Sequence, residues 1–196
     1  MTEKASLLCG LIPAAGASRR MGRDKRQIIW RSRSILETTV HVLQSQGIRP
    51  IIVVLEPDSP CQDLPGLAET HKVYNPNPDR GMLSSIREGL RAVPKEALGV
   101  AILPGDHPFV PSQAIQALMR CFAQDQPRLL IPRYSGRKGH PLILHRDLFD
   151  QASACDDQVG LRELVWRREA DLQILDLNMH GADDDLDTPE DLWKLG

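Results

Sequence analysis

The chain has 196 residues, of which 41% are hydrophobic and 26% charged, a composition typical of globular rather than disordered or fibrous proteins. This length predicts one domain, residues 1–196, with a substantial core. The formal net charge of −2 excludes the basic excess typical of nucleic-acid-binding proteins, and no apolar run is long enough to span a membrane. We therefore expect neither a nucleic acid nor a membrane as a partner.

The amino-terminal segment MTEKAS predicts a cytoplasmic protein, and the cysteines predict a chain without disulfides. The segment carries an acid and leads directly into an apolar run, without the basic start and small-residue cleavage site of a signal peptide. The four cysteines are widely spaced and form no C-x-x-C pair. Cys9 lies in an apolar run and Cys121 in a helical one, so we predict buried, reduced thiols rather than disulfides.

Strand-like and helical patterns alternate along the chain, which predicts an α/β domain with a mostly parallel sheet. The predicted strands are 7–12, 51–55, 73–74, 100–103, 129–131, 142–144 and 172–175. The predicted helices are 34–47, 84–93, 111–122 and 160–168, followed by one that opens at Thr188. The first helix begins with SILE, a capping box, and the last has proline at its first position. Absence of repeats and linkers supports one domain.

A loop of small residues follows the first predicted strand in the segment LIPAAGASRRMGRDK. Small side chains from Ala14 to Ser18 allow backbone N–H groups to approach phosphate oxygens. Arg19 or Arg20, together with Lys25, can neutralise the phosphate charge. The glycines fit neither the Walker nor the dinucleotide-binding spacing. The pattern predicts a polyphosphate-binding loop of another kind, with an ordinary turn bearing solvated arginines as the alternative.

Two acidic segments can complete such a site. In VAILPGDHPFV, Asp106 comes just past the carboxyl end of a strand, where open α/β sheets bind ligands. In GADDDLDTPEDL, Asp185 and Asp187 lie two residues apart, so an extended segment would point both to one face. Mg²⁺ commonly binds one or two carboxylates together with phosphate oxygens. We predict a magnesium site here, with turn formation and helix capping as the alternative roles.

Five segments in order along the chain, taken together, resemble one family. They are IPAAGASRRMGRDK, NPNPDRGMLSSIREGL, LPGDHPFV, GRKGHPLIL and DLDTPEDL. They are similar to the signature loop and four further motifs of the MobA-like nucleoside triphosphate transferases, most closely the molybdenum cofactor cytidylyltransferase branch. The resemblance implies a Rossmann-like three-layer α/β/α domain of the nucleotide-diphospho-sugar transferase type.

The resemblance also implies roles for individual residues. It makes Lys25, Arg20 and Asp106 catalytic, and Asp106 and Asp187 the ligands of Mg²⁺ or Mn²⁺, with Asp185 a less favoured second ligand. The nucleotide-binding residues that it implies are Ala14, Ala15, Gly16, Ser18, Asn75, Gly81 and Ser85. The acceptor-binding residues that it implies are Arg137, Lys138, His140, Asp157 and Arg162. The first three lie on a polar loop that we expect to be exposed.

The reaction that the resemblance implies is nucleotidyl transfer. A phosphate on the acceptor attacks the α-phosphorus of a nucleoside triphosphate, and pyrophosphate leaves without the need for a general base. Within the family the A-A-G form of the loop goes with CTP and an A-G-G form with GTP, so Ala15 favours CTP over another nucleoside triphosphate. The implied acceptor is molybdopterin or another phosphorylated small molecule, and a molybdoenzyme is a candidate partner.

One departure from the family pattern leaves alternatives open. The cytidylyltransferase branch usually carries G-D-x-G-x-R, whereas this chain has CDDQVGLREL, with Asp156 in place of the glycine and one additional residue before Gly160. The acceptor could therefore be a sugar or alcohol phosphate. A non-catalytic nucleotide-binding accessory protein for molybdoenzyme maturation is a third reading, and the missing glycine fingerprint disfavours a nicotinamide dehydrogenase.

Overall fold

A computed structural model of the chain describes residues 8–16 and 24–179, and in it helices surround a central sheet. The strands are β1 (Leu8–Pro13), β2 (Ile29–Trp30), β3 (Arg33–Ser34), β4 (Ile51–Leu55), β5 (His71–Tyr74), β6 (Gly99–Ile102), β7 (Leu129–Tyr134), β8 (Arg137–Lys138), β9 (Leu142–His145) and β10 (Leu172–Leu177). The helices are α1 (Ile35–Gln44), α2 (Met82–Arg91), α3 (Ser112–Asp125), α4 (Phe149–Ser153) and α5 (Leu161–Arg167).

The strand order explains where a ligand can bind. The central sheet runs β5-β4-β1-β6-β9-β7-β10, and β9 is antiparallel to both of its neighbours while the other main pairs are parallel. The chain moves outward from β1 through β4 to β5, and then returns to the opposite side of β1 with β6. Connections leaving the carboxyl ends of β1 and β6 therefore diverge, and such a switch point is where open α/β sheets form a ligand crevice.

The core forms two layers, one on each face of the sheet. Alternate residues of β1 point to opposite faces, so Leu8 and Ile12 join one buried cluster and Cys9 and Leu11 join the other. Helices α1 and α3 cover the first face, and α2, α4 and α5 contribute to the second. Burial on both faces explains why β1 and β4 are continuous apolar runs. The predicted three-layer α/β/α fold is confirmed.

Two differences from the predicted elements have local causes. Helix α2 begins two residues earlier than predicted, because Gly81, at φ +93°, ends a 3-10 turn and Ser84 donates a 2.7 Å hydrogen bond to its carbonyl. The predicted polar loop between residues 131 and 142 contains a hairpin, in which β7 and β8 flank Ser135 and Gly136. Both of these turn residues have positive φ, as the central residues of a type I′ hairpin turn do.

The cysteine prediction is also confirmed. All four cysteines are free and buried. Burial raises the pKa of the Cys9 thiol to about 12 and that of Cys61 to about 11, so both thiols stay protonated at neutral pH. In the described ranges, no helix combines the length and apolar character needed to cross a membrane.

Candidate active site

The carboxyl ends of β1 and β6 open into a cleft of about 540 Å³, which we call the first cleft. Its lining comprises Pro13, Ala14, Ala15, Gly16, Lys25, Arg26, Pro78, Gly81, Met82, Ser85, Pro104, Gly105 and Asp106. The structure thus brings together seven residues that the sequence placed in a nucleotide and metal site: Ala14, Ala15, Gly16, Lys25, Gly81, Ser85 and Asp106. They come from three separate segments of the chain.

The loops after β1 and β6 lie against each other because their residues are small. A Cβ atom added to Gly105 would come 2.9 Å from the Cβ of Ala14 and 3.2 Å from a methyl group of Leu36. The Gly105 N–H donates to the Pro13 carbonyl at 3.2 Å, and Thr39 donates to the Gly105 carbonyl at 3.2 Å. This contact holds the small-residue loop next to the segment that carries Asp106.

Lys25 and Asp106 form an ion pair inside the first cleft. Their Nζ and Oδ2 atoms are 3.3 Å apart, with 18% of the Lys25 side chain and 35% of the Asp106 side chain exposed. His107 lies behind the pair, with its Nε2 atom 3.8 Å from Oδ1 of Asp106. The two charges are therefore close enough to act on one ligand and accessible enough to reach it.

Arg26 fixes the segment that carries Lys25. Its buried guanidinium makes two hydrogen bonds to the Asp24 carboxylate, at 2.7 and 2.6 Å, and two to that of Glu56, at 2.9 and 2.7 Å. Burial alone would raise the pKa of Glu56, but the hydrogen bonds from Arg26 outweigh it and hold that pKa below its usual range. This network was not predicted, since nothing in the local sequence pattern pairs Arg26 with a residue 30 positions away.

Asn75 lies behind the first cleft rather than in its lining. Its buried side-chain amide donates to the hydroxyl groups of Ser84 and Ser85, at 2.8 and 3.0 Å, and its oxygen accepts from the Asn77 N–H at 2.9 Å. These bonds join the end of β5 to the first turn of α2 and orient Ser85, which does line the cleft. A direct contact between Asn75 and a ligand stays a prediction.

A second cleft of about 620 Å³ adjoins the first, and Met82 and Pro104 line both. Four of the five predicted acceptor-binding residues line it: Lys138, His140, Asp157 and Arg162. The fifth, Arg137, is exposed on the β7–β8 hairpin and is not part of the lining. The rest of the lining is largely apolar and includes side chains of α2, β7, β9 and α5.

Asp157 holds the loop before α5 onto α2. Its carboxylate pairs with Arg87 and, at 2.6 Å, with Arg80. Arg87 also donates to the carbonyls of Ser153 and Cys155, at 2.6 and 2.5 Å. Hydrogen bonds from Arg87 and then Arg80 keep the pKa of Asp157 below its usual range. The CDDQVG departure thus forms part of the wall of the second cleft, and Asp157, the acid that lines the cleft, is paired with two arginines.

His140 differs from the sequence expectation of an exposed loop residue. It is half-buried, its ring lies 4.7 Å from that of His107 at an interplanar angle of 60°, and its carbonyl accepts from Tyr134 at 2.9 Å. Its Nδ1 atom is enclosed and has no hydrogen-bond partner among the described residues. Burial, together with His107, lowers the pKa of His140 to about 4, although Asp106 acts in the opposite direction. The polar sequence of the loop did not reveal this contact, because His107 lies on the segment after β6, distant in the chain.

This pKa predicts a pH-dependent stability. Between the ordinary histidine value of 6.5 and the folded value of about 4, the unfolded chain binds a proton at His140 that the folded chain does not. The free energy of unfolding should therefore decrease as the pH is lowered through this window, by at most roughly 1 kcal/mol per pH unit from this residue. In urea unfolding of the metal-free protein, the free energy of unfolding should decrease less steeply with falling pH in His140→Asn than in wild type. The exposed His41→Asn control should keep the wild-type slope, and an unchanged slope in His140→Asn would contradict the prediction.

Four further predicted residues, Ser18, Arg20, Asp185 and Asp187, lie outside the described residues. Their roles stay predictions. Within residues 8–16 and 24–179, no group of three or more His, Cys, Asp or Glu side chains could hold a metal ion by itself. Asp106 is the predicted ligand that the structure places in a cleft.

A switch-point cleft with a small-residue loop, a lysine and a carboxylate is typical of an α/β enzyme that acts on nucleotides. The chain belongs to the MobA-like NTP transferase domain family, whose model matches residues 10–172. It is therefore a nucleotidyltransferase by family, as the sequence motifs predicted.

Two relatives show the range of this likeness. The molybdenum cofactor cytidylyltransferase of Escherichia coli (strain K12) is 22% identical over 182 residues, which are 92% of this chain and 91% of that protein. The probable molybdenum cofactor guanylyltransferase of Mycobacterium tuberculosis (strain ATCC 25618 / H37Rv) is 29% identical over 159 residues, which are 80% of this chain and 75% of that protein. Both relatives are thus named for the molybdenum cofactor, but one is named for cytidylyl transfer and the other for guanylyl transfer.

A solved structure supports the fold. The crystal structure of Rv0371c from Mycobacterium tuberculosis H37Rv matches with a TM-score of 0.86 and 25% sequence identity, and the match covers 97% of each chain. A second crystal structure of that protein is a complex with manganese, and it matches with a TM-score of 0.79 and 24% identity over 96% of this chain and 97% of the other.

Proposed function

We propose that the chain is a single nucleotidyltransferase domain that transfers the cytidylyl group of CTP to the phosphate of molybdopterin and releases pyrophosphate. The observation that carries this proposal is the Lys25–Asp106 pair, at 3.3 Å, in a cleft that adjoins a second one. Two adjoining clefts suit a reaction that joins two bound molecules.

The first cleft suits the nucleoside triphosphate. The small residues Ala14, Ala15 and Gly16 allow close approach of backbone to ligand, and Lys25 supplies positive charge. Ala15 lines the first cleft and is almost fully buried, and a glycine in its place would lack the methyl group. The proposed role of this methyl group is to narrow the cleft in favour of a pyrimidine over a purine, in agreement with the A-A-G form that goes with CTP in the family.

The carboxylate of Asp106 suits Mg²⁺, a hard cation that takes one or two carboxylates together with phosphate oxygens. Its oxygens are partly exposed in the cleft, and the described residues offer no self-sufficient cluster, so nucleotide phosphates would complete the ligand set. Asp187 stays the predicted second ligand. When bound, Mg²⁺, or Mn²⁺ in its place, would supply Lewis-acid and template chemistry at the phosphates.

The chain's own residues then position two anions and balance their charge. An oxygen of the acceptor phosphate forms a bond to the α-phosphorus of CTP, and the bond to the pyrophosphate oxygen breaks. The attacking phosphate is already ionised near neutral pH, so no residue needs to remove a proton. Lys25, held in place through Arg26, stabilises charge on the triphosphate as pyrophosphate leaves.

A second candidate is a cytidylyltransferase for another phosphorylated acceptor. The observation that favours it is the CDDQVG loop, where Asp157 is committed to Arg80 and Arg87 rather than available for an acceptor. An accessory role in molybdoenzyme maturation, without chemistry, is a third candidate, but a lysine and a carboxylate paired in the cleft are more than binding alone requires.

Pyrophosphate release in the presence of Mg²⁺, molybdopterin and each of the four nucleoside triphosphates tests the proposal. We expect turnover with CTP and at least about tenfold lower kcat/KM with GTP, since small changes in pocket size discriminate by this order. The Ala15→Gly variant should reduce that preference. Turnover with GTP alone would overturn the choice of CTP. Turnover with a sugar phosphate but not with molybdopterin would favour the second candidate, and CTP binding without any turnover would favour the accessory role.

A further inference from the structure

Exposed apolar side chains are concentrated at the second cleft. Among the described residues, five large hydrophobic side chains are exposed, and three of them, Met82, Val159 and Trp166, line this cleft. Trp166 is the most exposed of the five, at 68%. Burying a side chain of this size in water-free contact is favourable, so an exposed cluster beside a cleft indicates a ligand that covers it.

Among the described residues, Trp166 belongs to neither buried core cluster and is not one of the hydrophobic side chains packed against them. Trp30, by contrast, packs edge-on against Phe109 at 5.1 Å and lies under the guanidinium of Arg31 at 4.5 Å. Trp166 has no such ring or cation contact within the described part of the chain. Its indole faces are therefore available to another planar group.

Helix α5 presents Trp166 together with a positive charge. Arg162 and Trp166 are four residues apart, so they lie on the same face of the helix, and both line the second cleft. Lys138 lines the cleft as well, and the acid of the lining, Asp157, is already paired with two arginines. The charge available to a ligand in this cleft is thus positive, beside a flat aromatic surface.

We propose that Trp166 is the platform on which the acceptor stacks a flat heteroaromatic ring, while Arg162 and Lys138 attract its anionic substituents. The inference rests on the proposed function, because it assigns the acceptor to the second cleft. It narrows the acceptor to a molecule that combines a planar ring with phosphate. The aliphatic side chains of Met82, Val159 and Leu161 suit the apolar faces of such a ring better than the hydroxyl groups of a sugar.

Titration of pterin, used as a free ring without phosphate, tests the platform directly. Stacking against indole should quench pterin fluorescence, and its loss should weaken binding roughly tenfold in Trp166→Ala, in line with base–aromatic stacking. Trp166→Phe retains a planar face and should bind within about threefold of wild type. Ile29→Ala removes an equally exposed apolar side chain outside both clefts and serves as the matched control.

The outcomes separate this inference from the proposed function. Wild-type affinity and quenching in Trp166→Ala, equal losses in Trp166→Phe and Trp166→Ala, or binding of a hexose phosphate but not of pterin would each overturn the platform. Pterin binding that depends on Trp166 supports it, even if molybdopterin gives no pyrophosphate release and the proposed function fails. Turnover on molybdopterin with an unchanged acceptor KM in Trp166→Ala would support the function and refute the platform. Unchanged thermal unfolding and CTP binding would show that the variant is folded.

Discussion

Asp106→Asn should reduce pyrophosphate release by at least roughly a hundredfold while leaving the fold and much of the nucleotide affinity in place. The substitution preserves shape and removes the negative charge that would hold a divalent cation against the triphosphate. The side chain is partly exposed, pairs with Lys25 and lies 3.8 Å from His107, so the substitution removes little core packing. The effect should therefore appear in kcat rather than in stability.

The measurement is the initial rate of pyrophosphate release across a range of Mg²⁺ and Mn²⁺ concentrations. Asp63→Asn provides a matched control, since Asp63 is an exposed acid that lines neither cleft. The control should behave as wild type. A wild-type rate in Asp106→Asn at every metal concentration would show that the metal is bound elsewhere.

Local patterns were sufficient to predict most of the fold. The runs at β1 and β4 are apolar throughout because both faces are buried, and Ser34 and Glu37 form the predicted capping box, with bonds of 3.2 and 2.8 Å. The start of α2 was misplaced because a positive φ at Gly81, rather than a capping side chain, sets it. Ser135 and Gly136 are residues typical of a turn, but the segment that contains them was predicted as a loop rather than as a hairpin.

The site was predictable only where it is built from contiguous residues. The loop after β1 and the segment after β6 each follow a strand, so the sequence could place both at the same edge of the sheet. Two of the contacts that shape the clefts, Arg26 with Glu56 beside the first and Arg87 with Asp157 beside the second, join residues 30 and 70 positions apart. Such pairs leave no periodic pattern. The apolar lining of the second cleft was not predicted either, because its residues come from segments distant in the chain.

Lys25→Ala should remove most turnover, with a loss of roughly a hundredfold or more in kcat/KM for CTP. The lysine has a fixed position: it begins a 3-10 turn that Asp24 caps and that the buried Arg26 ties to Glu56. This support remains in the variant, so the cleft keeps its shape and loses one charge. The role proposed for that charge is to stabilise the developing pyrophosphate, so we expect kcat to fall further than KM rises.

Two comparisons identify the origin of that loss. Lys25→Arg restores the charge in a bulkier group and should recover part of kcat, whereas a purely structural role would not respond to charge. Lys95→Ala removes an exposed lysine outside both clefts and should leave the rate unchanged. Wild-type activity in Lys25→Ala would contradict the proposed reaction. Among the described residues of the first cleft, Arg26 would then be the remaining cation, and Arg26 is already paired with the carboxylates of Asp24 and Glu56.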